Sequence, residues 1–224
     1  MIKRLLRLLF LPALFAWSGL SAQVNDAQMW FNAEIEKKIT PAFSASFTEE
    51  VRLNENISEV GALFSDLGVS YKFLKRFKVG AFGRFTLKRR LDDTYQPFYS
   101  WYAELTAREK FKPVGLALRL RYQSKYSEEG TSPKAAIATN HIRAKLTVKY
   151  DLDMKLEPYV YAETYFRTCV PAYKSFDQLR LCAGVNYAFN RHHTVDLHYL
   201  FAREYNVVNP ETDYVIGLGY ALTF

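Results

Sequence analysis

From about residue 42 to Phe224 the chain alternates apolar and polar side chains with a period of two, and few architectures tolerate that over so long a stretch. Phe77, Val79, Ala81, Gly83, Phe85 and Leu87 fall on one face of an extended segment, opposite Lys78, Gly80, Phe82, Arg84, Thr86 and Lys88. Leu116, Leu118, Leu120 and Tyr122 oppose Ala117, Arg119, Arg121 and Gln123 in the same way. Side chains point to opposite faces along a strand, so each segment sorts into one apolar and one charged surface. A soluble sandwich turns the charges to water and the apolar face to a second sheet. A membrane barrel turns the apolar face to lipid and the charges inward.

Strand length and loop pattern favour the barrel. The alternation predicts strands at 29–38, 43–53, 60–73, 77–90, 98–111, 115–126, 138–150, 156–168, 176–189, 194–206 and 213–224. Most exceed the roughly five or six residues usual in soluble sheets and match the nine to eleven or so that a tilted membrane strand requires. Tight links at Lys38–Ala42, Leu74–Arg76, Lys112–Val114, Asp151–Lys155 and Asn190–His193 alternate with longer polar ones at Asn54–Glu59, Asp92–Pro97, Ser127–Ala136, Cys169–Ser175 and Val207–Asp213. Outer-membrane barrels place short turns in the periplasm and longer loops outside. The expected fold is all-β, an antiparallel up-and-down transmembrane β-barrel of ten to twelve strands. Single-chain bacterial barrels normally have an even number. Either a short first strand precedes these eleven, or residues 23–38 fold against a ten-stranded wall.

The amino terminus reads as a signal peptide over residues 1–22, leaving a single barrel domain at 23–224. Lys3, Arg4 and Arg7 precede an apolar run from Leu8 to Trp17, and small residues follow at Gly19, Ser21 and Ala22. Cleavage falls after Ala22, with Ser21 as the alternative because Leu20 fits poorly at the third position before the cut. Removing this segment lowers the formal charge from +7 to about +4, with 27 basic residues against 23 acidic. A nucleic-acid partner thereby loses its main support. Cys169 and Cys182 suit an oxidising compartment in number, but hairpin pairing sets them roughly seven residues, about 23 Å, apart, beyond disulfide reach.

The last segment carries Tyr214, Ile216, Leu218, Tyr220, Leu222 and Phe224 on one face. A terminal aromatic closing an alternating strand is similar to the signal by which insertion machinery reads outer-membrane barrels, with Tyr220 and Phe224 in that role. Aromatic residues make up 16% of the chain and gather near strand ends, where their amphipathic rings suit headgroups. Tyr71, Phe73, Phe77, Phe111, Tyr150, Tyr187 and Phe189 are expected to form a periplasmic girdle. Tyr99, Trp101, Tyr122, Phe166 and Phe201 are expected to form the outer one. The surrounding partners are outer-membrane lipid and lipopolysaccharide.

The inward faces collect Glu50, Arg52, Asp66, Arg84, Glu104, Arg108, Arg119, Arg121, Arg143, Lys145, Glu163, Arg167, Arg180, Asp196 and His198, with Tyr102, Tyr159, Tyr161 and Tyr165 among them. Isolated charges in a narrow barrel are costly, so they are expected to pair and stiffen it. The functional alternative is a narrow path whose excess of Arg and Lys favours anions. Enzymatic chemistry finds little support. His141, His192, His193 and His198 lack a serine at catalytic spacing, and no spacing suggests a metal site or a cofactor cradle. The other reading is a soluble periplasmic barrel with an apolar ligand, which would reverse the two faces.

Gln28-Met29-Trp30-Phe31-Asn32, the pair within Glu50-Val51-Arg52-Leu53-Asn54, Arg84, Arg180 and the closing Tyr220-to-Phe224 spacing resemble an outer-membrane barrel family. It is catalogued as domain of unknown function 2490. The resemblance implies an outer-membrane-type barrel of a Gram-negative envelope and carries no catalytic, cofactor or ligand residue with it.

Overall fold

The computed structural model describes residues 24–128, 136–168, 170–171 and 175–224. The expected signal peptide at 1–22, the loop tip around Gly130 and Cys169 lie outside them.

Eleven strands run β1 Val24–Lys38, β2 Phe43–Asn54, β3 Glu59–Lys72, β4 Phe77–Arg89, β5 Tyr95–Phe111, β6 Val114–Glu128, β7 Ala136–Tyr150, β8 Leu156–Arg167, β9 Phe176–Ala188, β10 His193–Glu204 and β11 Glu211–Thr223. Each pairs antiparallel with its neighbour in sequence, and β1 closes the barrel against β11. That last pair is parallel, in register from Val24 opposite Glu211 to Glu36 opposite Thr223. The parallel seam follows from parity, because an odd number of alternating strands leaves the first and last running the same way. Residues 24–38 are therefore a wall strand. They do not fold against a ten-stranded wall, and β1 begins five residues before the expected strand edge at 29.

Side chains with hydrogen-bonding oxygens set the short turns. Thr40 Oγ1 accepts from the Phe43 backbone N–H at 2.9 Å. Asp151 Oδ1 accepts from Asp153 N–H at 3.0 Å. Asn190 Oδ1 takes both His192 N–H at 2.8 Å and His193 N–H at 3.0 Å. Such residues mimic a backbone turn and fix the strand exit. At the opposite end the β2–β3 link spans only 55–58, no longer than the turns, so the expected alternation of link length fails there. Glu55, Asn56 and Ile57 all take positive φ, of 50°, 57° and 68°. Asp26 holds them, accepting from Glu55 N–H at 3.2 Å and Asn56 N–H at 2.8 Å.

Two register shifts break the ladder. Gly61 is the extra residue opposite Arg52/Leu53, and Asp177 the extra residue opposite Tyr165/Phe166. A bulge re-aims side chains, and the second one matters for the interior.

The outer surface is apolar. Leu116, Leu118, Leu120, Leu146, Val160, Leu181, Leu197, Ile216 and Leu218 are all exposed, Leu118 at 45%. Among the girdle candidates, Tyr71, Phe73, Phe111, Tyr150, Tyr187, Phe189, Tyr99, Trp101, Tyr122 and Phe166 are exposed, whereas Phe77 and Phe201 are half-buried. Phe77 stacks on Phe73 at 5.8 Å and Phe201 leans on Tyr214 at 5.7 Å, so neighbouring rings cover both. No helix among the described residues is long and apolar enough to cross a membrane.

Candidate functional site: a charged barrel interior

Alternation carries the polar side chains inward. Glu50, Arg52, Arg84, Glu104, Arg108, Arg119, Arg121, Arg143, Glu163, Arg167 and Arg180 line one interior cavity of about 730 Å³. Asp196 lines a second, of about 760 Å³, toward the turn end. Glu104, Arg108, Arg119, Lys145 and Tyr161 border both, so the two spaces adjoin there. Tyr220 and Phe224 lie on the outer surface, both exposed.

The interior charges meet mostly in pairs across neighbouring strands. Arg84 Nε and Nη2 donate to the two Asp66 oxygens at 2.6 Å each, and Tyr102 Oη donates to the same carboxylate at 3.2 Å. Arg121 Nη2 reaches Glu104 at 2.7 Å. Glu163 is only 2% exposed and takes Arg119 at 2.7 Å and Arg143 at 2.9 Å on one oxygen. Arg52 donates to Glu50. Buried charges persist when paired this closely, because the neighbour replaces the water they lose.

Aromatic rings fill the gaps between these pairs. The Arg52 guanidinium lies 3.6 Å from the Trp30 ring and Arg121 lies 3.9 Å from Tyr102. Phe82 stacks on Tyr102 at 4.8 Å, nearly parallel. That stack needs Gly68, since a Cβ there would collide with the Phe82 ring. Gly217 serves His198 in the same way. His198 is joined to Asp196 at 2.5 Å, and Tyr159 donates to the other Asp196 oxygen at 2.7 Å. His198 is thus part of a polar cluster with Asp196 and Tyr159.

Two features escape the alternation. Asp177 points inward because of its bulge, where it joins His141 Nε2 at 2.8 Å and Arg167 Nη2 at 3.1 Å. Strict alternation from Arg180 puts Asp177 outside. The other is an apolar strip inside the wall of β9, β10, β11 and β1, made of Cys182, Leu200, Ala202, Val215 and Trp30. Cys182 is a free, buried thiol in that strip. Glu34 and Glu36 also face the cavity. Their alternation with Ala33 and Ile35 is the signal that finds them. Among the described residues no group of His, Cys, Asp and Glu is placed to hold a metal ion.

A closed barrel with an apolar outside, a charged inside and turns at one end defines an outer-membrane-type β-barrel. The chain belongs to the family described as protein of unknown function (DUF2490), which matches residues 27–212. No curated protein matches the chain. Among solved structures, a bacterial polysaccharide outer membrane secretin is similar at 12% identity and a TM-score of 0.51, over 79% of this chain and 63% of that one. The NanC porin is similar at 13% identity and 0.49, over 79% and 86% of the two chains. The β-domain of the Bordetella autotransporter Brka is similar at 12% and 0.49, over 83% and 85%. At these identities the likeness is one of fold.

Proposed function

We propose that this protein is exported by a cleaved signal peptide and inserted in an outer membrane. There it gives small anions a narrow path and carries out no chemistry of its own. Its surroundings are membrane lipid and lipopolysaccharide, and the Tyr220-to-Phe224 strand end is what the insertion machinery reads. No cofactor or nucleic acid enters this reading.

One observation carries it. The 730 Å³ space inside the barrel is lined by eleven Lys and Arg side chains against eight Asp and Glu. A surplus of fixed positive charge in a low-dielectric tube raises the local concentration of anions and repels cations. Neighbouring-strand pairs such as Arg84 with Asp66 lie along the wall.

The test has two stages. Cell fractionation, with gel migration before and after boiling, should give an outer-membrane protein with a heat-shifted band. In planar bilayers under a KCl gradient, the reversal potential should then have the sign of chloride selectivity. A soluble periplasmic protein without the shift would favour the apolar-ligand reading with reversed faces. A folded barrel with no conductance would leave the interior as a salt-bridged strut.

A further inference from the structure

The surplus positive charge is not spread evenly. Among the lining carboxylates that make ion pairs, the nearest Lys or Arg is Lys78 for Glu36, Arg52 for Glu50, Arg84 for Asp66, Arg121 for Glu104, Arg119 for Glu163 and Arg167 for Asp177, while Glu34 and Glu204 make no ion pair among the described residues. Most of the cations left over crowd around Glu163. Arg119 shares that carboxylate with Arg143, and Lys145 and Arg180 are its register partners on the two flanking strands.

Lys145 makes no ion pair among the described residues, and its ammonium sits 3.5 Å from the Tyr161 ring. Among the described residues Arg180 donates only to Gln178, at 3.0 Å, with its guanidinium 4.8 Å from the Tyr165 ring. The face of a ring offsets part of a buried cation's charge and does not replace a counter-ion. Two donors in the cluster also lack an acceptor: Arg119 Nε and Tyr165 Oη are buried without a hydrogen-bond partner among the described residues. Native interiors rarely leave such groups unmatched.

We infer that the space between Arg119, Lys145, Tyr165 and Arg180 is a binding site for a compact multivalent oxyanion, with phosphate, free or as a small ester, the chemistry that fits. Its oxygens would accept from the orphaned Arg119 and Tyr165 donors, and its two charges would balance Lys145 and Arg180. Charge-assisted bonds from guanidinium to phosphate are among the stronger hydrogen bonds available. Glu163 is the internal competitor for the same cations. This inference rests on the anion-path reading for access to the site.

The experiment titrates inorganic phosphate, and separately glycerol 3-phosphate, into the full-length barrel folded in non-ionic detergent. Ionic strength is held constant with KCl, and heat is followed by calorimetry. Saturable binding of either ligand is expected, the tighter one naming the form preferred. Lys145→Gln and Arg180→Gln should each weaken it at least ten-fold, whereas Glu163→Gln should tighten it. Lys145→Gln strands no carboxylate, and retention of the heat-shifted band verifies folding for every variant. A non-saturating response identical in wild type and variants overturns the inference. Binding in a barrel that conducts nothing would keep this site and end the passage reading. Chloride conductance without saturable phosphate binding would do the reverse.

Discussion

Arg84 and Asp66 face each other across β4 and β3 as a bidentate pair, both bonds 2.6 Å long, with both side chains largely buried. Removing one member leaves a largely buried charge without a partner. Such losses cost about 3–5 kcal/mol, whereas replacing both by apolar groups is often neutral. Asp66→Asn should therefore lower the urea midpoint of the refolded barrel sharply. Asp66→Leu combined with Arg84→Leu should recover most of the loss. A single variant as stable as the wild type would show that the pair contributes nothing net.

Leu118 and Arg119 are adjacent in sequence and separated by the wall. Leu118→Arg puts a guanidinium in lipid, at about 2–4 kcal/mol near the bilayer midplane, and should reduce the folded fraction in vesicles. Arg119→Leu should insert normally but shift ion selectivity toward cations, because a cation bordering both cavities is lost. Equal tolerance of the two changes would contradict the two faces.

How much of this was readable beforehand depends on what sets each feature. The wall strands from β2 to β11 were legible because one-face burial imposes a period of two, and their edges fall within a few residues of those expected. The first strand was cut short because Val24-Asn25-Asp26-Ala27-Gln28 holds residues that strands disfavour. Pairing with β11 overrides that preference. The parallel seam has no local trace, since alternation names faces and not neighbours. Within the site, every charge from Glu50 to Asp196 follows from alternation, while Asp177 does not, because one bulge residue reverses the face of whatever occupies it. The positions of Lys145 and Arg180 were visible, but their lack of carboxylate partners depends on rotamers and cross-barrel distances.

Ile57 is β-branched at a φ of 68°, a conformation that costs an L-residue roughly 1–2 kcal/mol and glycine almost nothing. Ile57→Gly should raise the unfolding midpoint, by about 1 kcal/mol after the added chain entropy of glycine. Asp26→Asn should do the opposite by weakening the acceptor that holds Glu55 and Asn56. The sign of the two shifts under urea decides whether this link is strained and clamped.

Asp151 lies in the turn between β7 and β8, outside the membrane-spanning strands. Its carboxylate is held below the usual aspartate range by the Lys110 ammonium at 2.6 Å and then by the Asp153 backbone N–H. A depressed folded pKa contributes stability above the unfolded value and loses it as pH falls through the folded one. The wild type should therefore exceed Asp151→Asn in stability at neutral pH, and the difference should begin to shrink only as pH falls below the unfolded aspartate value of about 3.9. A difference independent of pH would place the effect in turn geometry alone.

The seam offers the sharpest check on strand number. Phe31 and Leu218 are register partners between β1 and β11, and both side chains face outward. Adjacent strands lie about 4.8 Å apart, inside the Cα range that a disulfide spans. With Cys169 and Cys182 first replaced by Ser, Phe31→Cys together with Leu218→Cys should oxidise to one bridge. Proteolysis should then release the amino- and carboxy-terminal peptides joined, and reduction should separate them. In a ten-stranded barrel with β2 paired to β11, the two cysteines would stay free. The eleven-stranded closure would then fail, and Trp30, Glu34 and Glu36 would have to leave the cavity wall.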